Sequence, residues 1–285
     1  MQSITNKQEA TGPVKAVVLD WAGTAVDYGC MGPAAVFVDV FQRFGIRVTV
    51  AEARKFMGLE KKAHVRSLCG LTAVGGQWRD KYGREPTEAD VAALYRETEP
   101  MMVAAIARHA GLIPGLLPFV DAMRQRRIRI GSCTGYTAQM VKVLMPAAES
   151  QGYRPDAVVC ASDVPASRPE PWMCYLNAMR LRTYPLAAMV KIGDTLADIE
   201  EGRNAGMWAI GLTQSGNMLG MPEARVRALD PNDLNQRLVA IGQRFQAAGA
   251  HYVARGIWEC TPLIDAIIRR MEMGEHPDGA QARHR

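Results

Sequence analysis

The chain has 285 residues, of which 48% are hydrophobic and 22% charged. That balance is ordinary for a soluble globular protein and leaves room for a large core and about two domains. Basic residues exceed acidic ones by only five, 34 against 29, a mild excess that suits an anionic small molecule. No apolar run approaches the roughly 18 residues of a membrane span, and the polar start from Met1 to Pro13 has no signal-peptide core, so a cytoplasmic protein is expected.

Residues 1–12 read as a tail. Val14 to Leu19 is a short β-branched and apolar run that reads as a buried parallel strand ending on Asp20. A loop with Gly23, Gly29 and Gly32 follows. Ala35 to Phe44, Ala51 to Met57 and Lys61 to Leu68 have helical patterns, Gly70 to Thr87 is turn-rich, and Glu88 to Ala110 is a further helix. No strand pattern occurs between Met31 and Ala110, so this stretch reads as an all-helical insertion.

Beyond Gly111, strands and helices alternate. The strands are Ile128–Cys133, Ala157–Cys160, Met189–Gly193 and Met207–Leu212, with helices near 116–126, 137–150 and 171–182 and another containing Asp198. Such repeats imply a parallel sheet with helices on both faces. The C-terminal part is mainly helical around a short His251-Tyr252-Val253 segment and frays from His276. The expected fold is therefore α/β, a Rossmann-like doubly wound parallel sheet with an inserted all-helical cap. The core would take residues 13–29 and 108–276, and the cap 30–107.

The basic cluster Arg124, Arg126, Arg127 and Arg129 falls at a helix end, where cations are favoured. It has no aromatic platform, so no nucleic-acid partner is expected. Cys30, Cys69, Cys133, Cys160, Cys174 and Cys260 form no C-x-x-C pair and no zinc spacing. They read as reduced core residues, with Cys30 the exception because it follows the Asp20 loop.

Four features converge at strand ends: Asp20, Thr134, Arg168 between prolines, and Asp194 with Thr195 and Asp198. In a parallel sheet these reach one edge. Three acids there call for a cation, and Mg²⁺ with a phosphate-like group suits such a cluster. Thr195 reads equally as a helix cap or a substrate contact.

Asp20-Trp21-Ala22-Gly23-Thr24, Ser132-Cys133-Thr134-Gly135, Arg168 and Gly193-Asp194-Thr195-x-x-Asp198 resemble, in order and spacing, the four motifs of the haloacid dehalogenase superfamily. The resemblance implies that Asp20 attacks phosphorus and forms an aspartyl-phosphate. Thr134 would bind the phosphoryl oxygens, and Arg168 would hold the nucleophile and its charge. Asp20, the Ala22 carbonyl, Asp194 and Asp198 would hold Mg²⁺, Asp198 directly or through water. Phosphatases of that superfamily carry a second acid two residues after the nucleophile. Here Ala22 stands in its place and can neither protonate a leaving oxygen nor activate water.

The stretch Met57-Gly58-Leu59-Glu60-Lys61-Lys62-Ala63-His64 offers a different chemistry. A lysine amine of lowered pKa condenses with a carbonyl to an imine, an electron sink that lets a neighbouring carbon–phosphorus bond break. Lys61 shares a helix face with His64, and Lys62 points elsewhere; the residues alone leave the choice of lysine open. Together with Cys30-Met31-Gly32-Pro33, Thr134-Gly135-Tyr136 and Pro171-Trp172-Met173, this stretch is similar to the phosphonatase branch of the superfamily, from about Val14 to Met273. That resemblance selects Lys61 as the Schiff-base residue. It implies hydrolysis of phosphonoacetaldehyde to acetaldehyde and phosphate, with His64, Cys30, Met57, Gly135 and Tyr136 as supporting neighbours and a homodimer formed through the caps. A generic phosphatase, a metal-independent dehalogenase and a catalytically silent phosphonate binder are the competing expectations.

Overall fold

The structure is a computed structural model that describes residues 12–278; the expected tail up to residue 11 and the chain end from 279 lie outside them. Strand β1 (Ala16–Leu19) is buried along its whole length. Its side chains alternate between two apolar clusters. Val17 and Leu19 join Phe119, Ile130 and Ile192, whereas Ala16 and Val18 join Val159, Met173 and Met207. A strand buried on both faces belongs inside a sheet covered by helices on both sides. With β2 (Arg129–Thr134), β3 (Ala157–Cys160), β4 (Met189–Gly193), β5 (Trp208–Leu212) and β6 (Tyr252–Ala254) it forms a parallel sheet in the order β3-β2-β1-β4-β5-β6. The expected doubly wound α/β sheet is present. The strand order reverses between β1 and β4, and the crevice beyond their carboxyl ends is where such sheets bind ligands.

Five helices separate β1 from the rest of the sheet: α1 (Met31–Arg43), α2 (Val50–Arg54), α3 (Lys61–Cys69), α4 (Thr72–Tyr82) and α5 (Glu88–Arg108). Their apolar faces, including Phe37, Val40, Phe41, Val65, Leu68 and Leu94, continue the larger cluster of the core. The two chain connections meet at their base. Asp27 accepts from the Met31 and Gly32 N–H groups at the start of α1, and its carboxylate lies 3.6 Å from His109 Nδ1 just past α5.

The remaining helices are α6 (Leu116–Gln125), α7 (Ala138–Glu149), α8 (Trp172–Leu181), α9 (Leu196–Asn204), α10 (Glu223–Arg227), α11 (Pro231–Ala247) and α12 (Cys260–Glu272). Two expectations need correction. The stretch 70–87, read as turns, contains α4. Its two glycines cost about 1 kcal/mol each in a helix, but Val74 and Trp78, one turn apart, are both buried in the core and outweigh that cost. Gly83, at φ 70°, then ends the helix in a left-handed cap. Tyr252 and Val253 of the short 251–253 segment belong to a sixth strand, β6, whose Tyr252 pairs with Ile210 of β5.

Candidate active site

Neighbouring strands deliver the first two acids. Leu19 of β1 is in register with Ile192 of β4, and the Asp20 N–H donates to the Ile192 carbonyl at 3.0 Å. Asp20 and Asp194 therefore leave the sheet side by side. Asp198 comes from the first turn of α9, where Thr195 is the N-cap and Asp198 completes a capping box. Each of the three offers an oxygen, all within 4.8 Å of one another and all buried.

Their charges are not balanced alike. Arg168 reaches Asp20 Oδ1 at 2.8 Å, Asp198 Oδ1 at 3.1 Å and Glu201 Oε2 at 2.8 Å. Lys191, fully buried in the middle of β4, donates to Asp198 Oδ1 at 2.6 Å and lies 3.3 Å from Glu201. Burial alone would raise Asp198, but Arg168 and Lys191 outweigh it and hold this carboxyl below the usual range. Asp20 is pushed up, by burial first and then by Asp198, despite Arg168. Asp194 is pushed well up by burial and by both neighbouring acids, against the opposing pull of its hydrogen bonds from the Asn217 N–H and the Cys30 thiol. No cation is within ion-pair distance of Asp194 among the described residues. Hard oxygen donors, fully buried and short of positive charge, fit a divalent cation such as Mg²⁺.

Close packing fixes Asp194. Oδ2 accepts from the Asn217 N–H at 2.7 Å and from the Cys30 thiol at 3.2 Å, and Oδ1 from the Thr24 hydroxyl at 3.4 Å. A Cβ on Gly23 would lie 2.2 Å from Oδ2, and one on Gly216 would lie 2.1 Å from the Asp194 Cβ. Only glycine allows the backbone to come this close at either position.

Lys61 enters from the other side. The Glu60 carboxylate caps α3 by accepting from the Lys62 and Ala63 N–H groups, at 2.8 Å each. That cap starts the helix at Lys61 and turns its side chain inward. Lys61 is 3% exposed, and Nζ sits 5.0 Å above the centre of the Tyr136 ring. Burial lowers its pKa to about 8, partly opposed by the charge of Asp20. Asp20, Ala22, Met57, Gly58, Lys61, Thr134, Gly135, Tyr136, Arg168, Asp194 and Thr195 line a single cavity of about 20 Å³, space for about one water.

The sequence-predicted residues are thus mostly together; Cys30, His64 and Asp198 are not part of the cavity lining, although Cys30 bonds Asp194. His64 is outside the cavity lining. Its Nε2 bonds the Ala53 carbonyl at 2.8 Å, its ring stacks on Phe37 at 3.8 Å, and burial holds it neutral. Lys62, the alternative lysine, is only partly buried and lines no part of the cavity. Asp198 lies behind the cavity, both of its oxygens already bonded to Lys191, Arg168 and Thr195. Lys191, Glu201 and Asn217 went unnoticed in the sequence. A lysine interrupting the apolar run Met189–Ile192, with Glu201 one turn beyond Asp198, is a legible sign of a buried ion pair.

The haloacid dehalogenase-like hydrolase family matches residues 14–206 of the chain. A phosphonoacetaldehyde hydrolase-like protein of Syntrophobacter fumaroxidans is 53% identical over 97% of this chain and 100% of its own length. A phosphonoacetaldehyde hydrolase of Nitratidesulfovibrio vulgaris is 53% identical over 93% of this chain and 95% of its own. The crystal structure of a phosphonoacetaldehyde hydrolase-like protein from Oleispira antarctica superimposes with a TM-score of 0.92 at 36% identity, covering 97% of this chain and 100% of that one. Strand order, strand-end acids and near-full-length likeness agree: this chain is a hydrolase of the haloacid dehalogenase-like family and belongs to its phosphonoacetaldehyde hydrolase branch.

Proposed function

We propose that the chain cleaves the carbon–phosphorus bond of phosphonoacetaldehyde, releasing acetaldehyde and phosphate, through a Schiff base on Lys61 and an aspartyl-phosphate on Asp20. One observation carries this reading. A buried lysine with pKa about 8 faces the same small cavity as the strand-end aspartate, and Ala22 occupies the position of a phosphatase's second acid. At pH 7 about a tenth of such an amine is neutral, enough to attack a carbonyl.

The bookkeeping closes with these residues. The Lys61 amine adds to the aldehyde and water leaves, giving an iminium. The Asp20 carboxylate attacks phosphorus, and the electron pair of the P–C bond moves into the iminium to form an enamine. No alkoxide leaves, so no acid is needed at position 22. The enamine takes a proton on carbon and water hydrolyses the resulting imine, returning Lys61 and releasing acetaldehyde. A second water cleaves the aspartyl-phosphate. Arg168, already on Asp20, is placed to carry charge from the phosphoryl group, and Thr134 borders the same space. Asp20, the Ala22 carbonyl and Asp194 would hold Mg²⁺, with Asp198 behind them; when bound, that ion neutralises charge on the nucleophile and the phosphoryl oxygens.

The 20 Å³ cavity is smaller than the substrate. Met57, Gly58 and Lys61 come from the helical insertion, so we assign residues 30–107 the role of a cap that moves to admit it. By the family resemblance we also expect a homodimer through this cap. No helix of the described residues is long and apolar enough to cross a membrane.

Substrate comparison tests the reading. With Mg²⁺ present, acetaldehyde release from phosphonoacetaldehyde should exceed turnover of p-nitrophenyl phosphate by at least ~100-fold in kcat/KM, more than 2.7 kcal/mol. The reverse preference would assign the protein to the phosphatases.

A further inference from the structure

Arg54 is the last residue of α2, and Asn217 lies in the loop beyond β5. They are bonded reciprocally: Arg54 Nη1 donates to Asn217 Oδ1 at 3.0 Å, and Asn217 Nδ2 donates to the Arg54 carbonyl at 3.1 Å. The same Nη1 donates to the Gly29 carbonyl at 2.8 Å, in the connection that leads out of β1. Gly220 completes the seat, since a Cβ there would stand 2.8 Å from Arg54 Nε. Asn217 is only 6% exposed, and its backbone N–H is the 2.7 Å donor to Asp194 Oδ2. One chain of hydrogen bonds therefore runs from the helical insertion, through Asn217, to the acid that lacks a cation.

We propose that Arg54 and Asn217 are positioning residues: their pairing, made when the 50–60 segment seats on the core, orients the Asp194 carboxylate for the divalent cation. Neither residue touches the reacting atoms. The loop holding Asn217 also carries Ser215, whose hydroxyl donates to the Gly23 carbonyl at 2.8 Å, and Gly23 is the glycine pressed against Asp194. Losing the Arg54 bonds frees this loop on the side facing the insertion, while Asp194 keeps its contacts to Cys30 and Thr24. The coupling runs both ways, because a cation that prefers the oriented carboxylate must also favour the seated segment.

The inference rests on the Mg²⁺ reading of Asp20 and Asp194. Mg²⁺ titration of the unaltered chain without substrate, followed by calorimetry, tests that reading separately. Given binding there, Arg54→Ala and Asn217→Ala should each weaken Mg²⁺ up to about 10-fold, the low end of the effect of losing an outer-shell partner, because the Asn217 N–H that bonds Asp194 remains and only its placement is loosened. Arg54→Lys, which keeps the charge but not the guanidinium fork, should recover part of the loss and serves if Arg54→Ala does not fold. Mg²⁺ should also slow amide hydrogen exchange across residues 50–60 in the unaltered chain and do so less in Asn217→Ala. Equal Mg²⁺ affinity in the folded variants and the unaltered chain overturns the proposal. So does Mg²⁺ binding that leaves exchange in residues 50–60 unchanged.

Discussion

Lys61 and Lys191 are both buried lysines, 3% and 0% exposed, and their surroundings make them opposites. Lys191, on β4, meets Asp198 at 2.6 Å and Glu201 at 3.3 Å, and the Cys133 sulfur at 3.1 Å. The two carboxylates outweigh burial and the nearby Arg168 and hold its pKa well above the ordinary lysine value. Lys61, on the insertion, has the face of Tyr136 and no carboxylate within ion-pair distance among the described residues, so burial prevails and lowers it. Burial alone does not make a lysine nucleophilic; burial without a partnering anion does. One lysine is a permanent cation that fixes Asp198 and Glu201 behind the site. The other is an amine free to become neutral.

The sharpest way to break this comparison is to remove each lysine and compare stability. Lys191→Met leaves Arg168 as the one cation on Asp198 among the described residues, and Glu201 with fewer bonds, when its Oε1 already has no partner. The expected loss is about 3–5 kcal/mol, as for a broken buried pair, read by denaturant unfolding. Lys61→Met should shift stability the other way, raising it by about 1–3 kcal/mol at pH 7. The sign follows from the direction of the shift. A folded pKa of about 8, below the ordinary 10.5, makes the charged form a penalty on folding. That penalty is full below pH 8 and fades as pH rises from about 8 toward 10.5. Lys61→Met should therefore converge on the unaltered chain in alkaline solution, while Lys191→Met keeps its loss. Destabilisation by both, to a similar degree and independent of pH, would dissolve the distinction.

A smaller effect concerns the acids. Asp194 is raised in the folded chain, so its protonated form favours folding and that contribution is lost as pH rises above the ordinary value near 3.8. Mg²⁺ should return it. The melting temperature is expected to rise by about 2 °C or more on adding Mg²⁺ at pH 8, and by less at pH 5. Asp194→Asn should abolish the Mg²⁺ response while leaving the metal-free protein at least as stable at pH 8. A Mg²⁺ response that survives in Asp194→Asn would place the ion elsewhere.

Legibility in the sequence followed the same division. Asp20 and Asp194 stood out because each ends an apolar strand, and the alternation of strands and helices puts such ends at one edge. Thr134 and Arg168 followed from the same geometry. Lys61 was harder, since its neighbour Lys62 has the same chemistry; what separates them is the Glu60 cap, which sets the direction of α3 and is visible only in three dimensions. His64 shared the right helix face but turned toward Phe37 and Ala53, because helical spacing gives direction without depth. Lys191 and Glu201 were missed for a similar reason. Their significance lies in one contact across β4 and α9; a lysine inside an apolar strand hints at a buried pair, but only the fold shows which acid it meets. Helix α4 hid behind Gly75 and Gly76, although Val74, Trp78 and Tyr82 already had helical spacing.

The imine at Lys61 is the centre of this account, and borohydride trapping tests it most directly. Protein incubated with phosphonoacetaldehyde and borohydride should lose acetaldehyde release and gain one reduced adduct, mapped by peptide mass to Lys61. Trapping should increase as pH rises toward 8, the pKa of that amine. Lys61→Arg should form no adduct and lose activity by at least ~10³-fold, while Lys191→Met should still be trapped. Acetaldehyde release that persists undiminished in borohydride, or an adduct mapped to Lys62 or Lys191, would contradict it.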